Sequence, residues 1–355
     1  MNHQKWIAHA RQKPGNRVNL LCFIFDGGSA GYFAPWKYSI SDDINLIPIL
    51  YPAREKRKNE PMHKTMEAFV EDLVQSLAKI FQGDYAFFGY CSGSVIAYEA
   101  AVLANRLYGT QPRYGMIVSS QAPKYLQASV PQITDKNRET LFYNHMMSLP
   151  FMTEKMMHDK TFLAYYKPLF VADYGLLHTY RYKEQQKLSC DLDVIFCPED
   201  TQVERKKVEQ WQELTNGRTR VIEKAGGHFL ADAQAEYIFS SLNGRLSQSG
   251  QNSGPSKQEP CKRERAATET EQKILKIYNE AFAPTKICMS DRFFQKGGDS
   301  LKAVRIVNAL QAEFGITVTI SDIFDSGEIR ELAKRIARAA EQTTKERAAS
   351  EEGEI

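Results

Sequence analysis

No apolar run in the 355-residue chain approaches the ~20 residues that a membrane span needs. Its first residues, MNHQKWIAHARQKPGN, hold no apolar stretch long enough for a secretory signal. A surplus of one charge is also missing. The 46 basic and 43 acidic residues leave a formal net charge of +3, which gives neither nucleic acid nor an anionic membrane a reason to bind. Cysteine is sparse: the six, at positions 22, 91, 190, 197, 261 and 288, are scattered without a Cys-x-x-Cys pair. Neither a metal site nor a disulfide framework is therefore expected, and a reducing cytoplasm suits the chain. What is left is an ordinary globular composition, 43% apolar and 25% charged, with length enough for two domains.

The division is visible as a loss of apolar residues. Residues 247–260, SQSGQNSGPSKQEP, contain no aliphatic or aromatic side chain and have nothing to bury, so they read as a flexible linker. The expected organisation is a first domain over 1–246, a linker over 247–267, a second domain over 268–340 and a charged tail over 341–355.

In the first domain, short apolar runs at 18–25, 44–51, 85–89, 114–120, 191–197 and 219–224 alternate with helical patterns, notably 66–81 and 94–107. Runs apolar on both faces and joined by helices predict a mainly parallel sheet covered on both sides, an α/β fold. The stretch from about 121 to 185 breaks this rhythm. Its Met, Phe and Tyr recur at helical spacing, which fits either an inserted helical lid or further core helices. The second domain carries four helical signals: ETEQKILKIYNEAF, SLKAVRIVNALQAEF, a short SDIFD turn and EIRELAKRIARAAEQ. Ile274, Ile277 and Ala281, then Leu301, Val304, Val307 and Leu310, form the apolar stripes of a small four-helix bundle.

Chemistry is concentrated at Gly89-Tyr90-Cys91-Ser92-Gly93, between an apolar strand and a helix. A glycine two residues before and two after a nucleophile makes room for the sharp turn of an α/β-hydrolase fold. Centring the turn on Cys91 satisfies both positions, whereas centring it on Ser92 places Tyr90 and Ser94 there. The fold's chain order is nucleophile, acid, histidine. Asp200, with Glu199 as the alternative acid, follows the 191–197 run, and His228 follows Gly226-Gly227 after the 219–224 run.

With these residues in place, the first domain resembles the type II thioesterases of nonribosomal peptide and polyketide synthesis. The likeness spans about 17–246 and includes GGSAGYFAPW (27–36), Tyr51-Pro52-Ala53-Arg54, GYCSG, PLFVADYGLLHTYRY (168–182), Asp200, Trp211 and GGHF (226–229). The resemblance implies that Cys91 attacks a carrier-bound thioester, His228 takes its proton and Asp200 orients the imidazole. The oxyanion would rest on the N–H of Ser92 and one N–H near Asp26 or Gly27. The chain departs from the family in having Cys91 where serine is usual, and Asp26 where a small neutral residue is common. A carboxylate at Asp26 either turns away into a structural hydrogen bond or meets a positive charge, such as the ammonium of an aminoacyl substrate.

Residues 291–301, DRFFQKGGDSL, resemble the arm-attachment motif of peptidyl carrier domains, a likeness covering 268 to about 340. It implies a covalent 4'-phosphopantetheine at Ser300, where the start of a helix offers N–H groups to a phosphodiester. Gly297-Gly298 permit the tight loop, and Phe293 and Phe294 would pin it. The expected activity is thioester hydrolysis on carriers, in cis or in trans, after loading by a phosphopantetheinyl transferase. The alternative is acyl transfer to another carrier thiol or to an amine, since a thioester acyl-enzyme stays reactive toward both. No metal is implied.

Overall fold

Each of the six apolar runs becomes a strand: β1 Val18–Phe23, β2 Ile44–Pro48, β3 Tyr85–Tyr90, β4 Tyr114–Val118, β5 Asp191–Phe196 and β6 Thr219–Glu223. The computed structural model describes residues 3–247 and 268–339, apart from positions 14, 16, 127–130, 148–156, 159, 284, 294, 295, 299, 320, 321, 324 and 325. Nearly all of the proposed linker and the charged tail therefore lie outside the described residues. The chain divides into two compact units, residues 1–142 with 167–256, and residues 143–166 with 257–355. The stretch expected as a lid is thus shared between the two.

In the first unit the strands form one sheet in the order β2-β1-β3-β4-β5-β6, and every neighbouring pair is parallel. Parallel neighbours require a crossover, and the intervening helices supply it. Covering both faces explains why the runs are apolar throughout rather than alternating: β3 is buried along its whole length, while edge strand β6 has no fully buried residue. Asp193 is the polar exception inside β5. It is satisfied by Arg220 Nε at 2.7 Å and the Tyr114 hydroxyl at 2.6 Å, as a buried carboxylate must be.

The 66–81 pattern folds as two helices, Met66–Ser76 and Ala78–Phe81, with Thr65 capping the first by accepting from the Ala68 N–H. Ser92–Tyr108 is one helix and ends at Gly109, whose φ of 68° suits glycine. Between β4 and β5 the expected helical character is present as Arg138–Met147 and Lys160–Thr179. No helix among the described residues is long and apolar enough to cross a membrane.

This topology decides where the chemistry sits. From β1 the chain steps outward to β2, then returns to the other side of β1 as β3. The connections leaving β1 and β3 diverge there, opening a crevice at the carboxyl ends of these strands. Asp26 follows β1 and Cys91 follows β3.

In the second unit, helices Glu269–Phe282 and Ser300–Phe314 are accompanied by a helical stretch at 329–339. Thr268 and Glu271 form a reciprocal capping box, with the Thr268 hydroxyl accepting from the Glu271 N–H at 3.2 Å and the Glu271 carboxylate accepting from the Thr268 N–H at 2.9 Å. The first apolar stripe is rotated by one residue from expectation. Ile274, Tyr278 and Phe282 are buried while Ile277 is only partly so, because two aromatic rings offer more area to bury than Ile277 and Ala281. In the next helix Val307 and Leu310 are buried as anticipated. Cys288 is disulfide-bonded, a pairing for which the scattered cysteines gave no sign, since chain spacing does not report spatial approach.

Candidate active site

Cys91 connects β3 to the helix Ser92–Tyr108 with φ 52° and ψ −124°, a conformation that L-residues rarely adopt. Backbone bonds hold it on both sides: the Cys91 N–H donates to Val118 O at 2.8 Å, and the Ser94 N–H to Cys91 O at 3.0 Å. The flanking glycines are required by space. A Cβ at Gly93 would stand 2.6 Å from the carbonyl oxygens of Phe23 and Ile24, and one at Gly89 would stand 2.8 Å from the Ser94 nitrogen. Backbone atoms cannot swing aside, so both positions exclude any larger residue.

His228 sits in a loop that turns at Gly226 and Gly227, with φ 131° and 67°. Its Nδ1 meets Asp200 Oδ2 at 2.7 Å, and the imidazole lines the same cavity as Cys91. Asp200 is fixed in turn by the Gln202 N–H, which donates to its Oδ1 at 2.8 Å. Glu199 is turned elsewhere and accepts from the Cys197 thiol at 2.9 Å. Of the two candidate acids, the fold brings Asp200 to the histidine.

Removal from water pushes the Cys91 thiol up. A positive His228 opposes this and the Asp26 carboxylate adds to it. Burial alone would lower His228, but the charge on Cys91 and the hydrogen bond to Asp200 outweigh it and raise the imidazole to about 10. The two groups titrate as a pair: a thiolate forms most readily beside an imidazolium that Asp200 already stabilises.

Asp26 reaches this site from β1. Its Oδ1 accepts from the Ser92 hydroxyl at 2.7 Å and lies 3.8 Å from Cys91 Sγ. The Ser92 N–H stands at the helix start, directly after Cys91. Of the two loop N–H groups considered for the oxyanion, that of Gly27 is already engaged, donating to Asp173 Oδ2 at 2.6 Å. That of Asp26 has no partner among the described residues.

Asp173 belongs to the helix Lys160–Thr179 and also pairs with Arg54, whose side chain is wholly buried. Arg54 in turn donates to Gly28 O at 2.5 Å. These two charged residues stand 119 positions apart, and no local pattern marks such a pair. Both fall in stretches that carry the thioesterase likeness, which gave them no role. A cavity of about 230 Å³ opens beside the thiol, lined in part by Asp26, Cys91, His228, Gln121 and, from the same helix as Asp173, Tyr174 and Leu177.

In the second unit Ser300 is the first residue of its helix. Gly297 has φ 90°, and a Cβ on Gly298 would penetrate the Phe293 ring, which is buried edge-on against Phe282 at 5.6 Å. A helix start at Ser300 behind a tight glycine loop is a site that fits a phosphodiester. Phe294 and Asp299 lie outside the described residues.

The profile of the thioesterase domain family matches residues 18–246, well over half of the chain. The chain belongs to the thioesterase family. Its thioesterase region is 27% identical over 244 residues to thioesterase PikA5 of Streptomyces venezuelae, covering 68% of this chain and 85% of that protein. It is 30% identical over 223 residues to the medium-chain S-acyl fatty acid synthase thioesterase of Rattus norvegicus, covering 61% and 83%. Among solved structures, the type II thioesterase BorB from the borrelidin biosynthetic cluster shares the fold with a TM-score of 0.57 at 21% identity, over 68% of this chain and 96% of that one. A phosphopantetheine attachment site matches residues 274–336, which include Ser300. This thioesterase is therefore a thioester hydrolase joined to its own phosphopantetheine attachment domain.

Proposed function

We propose that this thioesterase acts on acyl groups held as thioesters by carrier domains in nonribosomal peptide or polyketide assembly, with Cys91, His228 and Asp200 as its triad. The observation that carries the reading is the convergence of the three groups: Asp200 Oδ2 lies 2.7 Å from His228 Nδ1, and Cys91 and His228 line the same cavity. With Nδ1 held by Asp200, Nε2 is the nitrogen left to serve the thiol. Cys91 gives its proton to Nε2 as Sγ attacks the thioester carbonyl. The Ser92 and Asp26 N–H groups receive the oxyanion. Removing one such donor typically costs about 2.7–4 kcal/mol of transition-state stabilisation. Collapse forms acyl-Cys91 and expels the substrate thiol, which takes the proton from His228. His228 then deprotonates a water, which attacks acyl-Cys91 and releases the free acid.

Ser300 holds the phosphopantetheine of the attached domain, after loading by a phosphopantetheinyl transferase. That arm supplies a thiol able to carry an acyl group. Carriers in cis and in trans are the partners this chemistry serves. The thiol nucleophile favours a second reading, acyl transfer. Exchange between Cys91 and a carrier thiol converts one thioester into another with little change in free energy, so a thiol or amine that outcompetes water diverts the acyl group from hydrolysis.

Incubation with an acylated carrier followed by intact-protein mass spectrometry tests the assignment. Acyl-Cys91 is expected in the wild type and absent in Cys91→Ala; full turnover by Cys91→Ala would sink it. Free acid as product marks hydrolysis, and label on a second thiol or an amine marks transfer.

A further inference from the structure

The cavity beside Cys91 contains a carboxylate that the triad leaves unused. Asp200 orients His228, so Asp26 is not needed for that task. Asp26 Oδ1 accepts from Ser92 and faces the sulfur, while Oδ2 has no hydrogen-bond or ion-pair partner among the described residues. Among the described residues, no lysine or arginine lines the cavity. Gln121, on the same wall, spends its amide N–H on Gln202 O at 3.1 Å and leaves its buried Oε1 without a donor. Two acceptor oxygens without donors in one cavity fit a ligand that brings several N–H groups and a positive charge, as an ammonium does.

The reaction geometry says where on the substrate that ammonium lies. Attack bonds the thioester carbonyl carbon to Sγ. In an aminoacyl group the nitrogen is two bonds from that carbon, about 2.5 Å away at ~1.5 Å per bond. A carboxylate whose nearer oxygen is 3.8 Å from Sγ is within hydrogen-bond reach of such a nitrogen. A nitrogen far along a chain would pass it by. The cavity, at about 230 Å³, is also smaller than the roughly 300–1,000 Å³ of typical small-molecule pockets, which suits a short acyl group.

We propose that Asp26 is a specificity-determining residue that binds the α-ammonium of a small aminoacyl thioester while Cys91 attacks its carbonyl. The inference rests on the thioesterase reading of this site and names its substrate class.

The test compares alanyl- and propionyl-pantetheine on the full chain, which match in length and differ in the ammonium. The readouts are kcat/KM for thiol release and the mass of acyl-Cys91. The wild type is expected to favour alanyl, and Asp26→Asn to reduce the alanyl-to-propionyl ratio by roughly 10- to 150-fold, the effect of one hydrogen bond between charged groups. Intrinsic reactivity of the two thioesters cancels in that comparison. A ratio unchanged in Asp26→Asn overturns the proposal, as does a wild type that handles alanyl no better than propionyl; this second result needs no variant to fold. Acyl-Cys91 formed without discrimination overturns only the substrate class. Its absence with both substrates overturns the parent reading and this inference together.

Discussion

Asp173→Ala removes a carboxylate that two partners share. Arg54, fully buried, would lose its counter-charge, and the Gly27 N–H would lose its acceptor. Truncating one side of a buried ion pair typically costs about 3–5 kcal/mol, because the remaining charge cannot regain water. At roughly 2–4 °C per kcal/mol for a unit of this size, the melting temperature should fall by about 6–20 °C. Arg54 keeps its carbonyl partners Gly28 and Pro52, which places the expected loss toward the lower part of that span. Activity should fall as well, since the network ties the loop bearing Asp26 to the helix that lines the cavity. A shift of ~1 Å in a positioned group is worth on the order of a hundredfold in rate. Thermal unfolding followed by circular dichroism, with acyl-Cys91 formation measured well below the transition, reads both effects. The double variant Arg54→Met/Asp173→Leu should recover most of the stability, since removing both charges leaves no orphan. A loss under 2 °C in Asp173→Ala, or a double variant as unstable as the single one, would refute the buried-pair argument.

Gly93→Ala places a methyl against two immovable carbonyl oxygens; it should cost about 1–3 kcal/mol as overpacking does, and slow acylation of Cys91 further, measured by thermal unfolding and by burst amplitude. Normal stability with normal acylation would show that the turn has slack. Ser300→Ala should take up no phosphopantetheine from a transferase in an intact-mass assay while keeping thioester hydrolysis on an added substrate; a mass gain in this variant would move the attachment site.

Much of the first unit was open to reading because its signals are local. Parallel strands buried on both faces leave uninterrupted apolar runs, and all six were in the right places. The turn at Cys91 is legible for a similar reason: the two glycines answer to backbone atoms that any such turn brings close. Asp200 against Glu199 was harder, since adjacent acids look alike in sequence and only the direction of the chain after β5 separates them. The engagement of Gly27 by Asp173 was not readable, because its partner lies 146 residues away on a helix whose docking depends on the whole fold. The rotated stripe of Glu269–Phe282 shows a subtler limit. Ile277 and Tyr278 both fit a helical period, and which one is buried depends on the neighbours that the bundle provides.

The two carboxylates near the thiol act on it in opposite directions, and this gives recognition a route to activation. Asp200 stabilises the imidazolium and so favours the thiolate beside it. Asp26 disfavours the thiolate by like charge. With Asp26 Oδ1 3.8 Å from the sulfur, the repulsion lies between ~1 kcal/mol in water and ~4 kcal/mol at an effective dielectric of 20. Removing the charge must therefore move thiolate formation to lower pH. In Asp26→Asn, alkylation of Cys91 by iodoacetamide should reach half its maximal rate at a lower pH than in the wild type. Tyr174, which also faces Asp26 and Cys91, is itself raised and stays neutral over that range, so it does not confuse the readout. The midpoint belongs to the Cys91–His228 pair, and the comparison is between variants rather than with a free thiol. An unchanged or higher midpoint in Asp26→Asn would mean that the carboxylate is screened from the sulfur. A lower one would mean that a bound ammonium, by neutralising Asp26, can sharpen the nucleophile at the moment the substrate arrives.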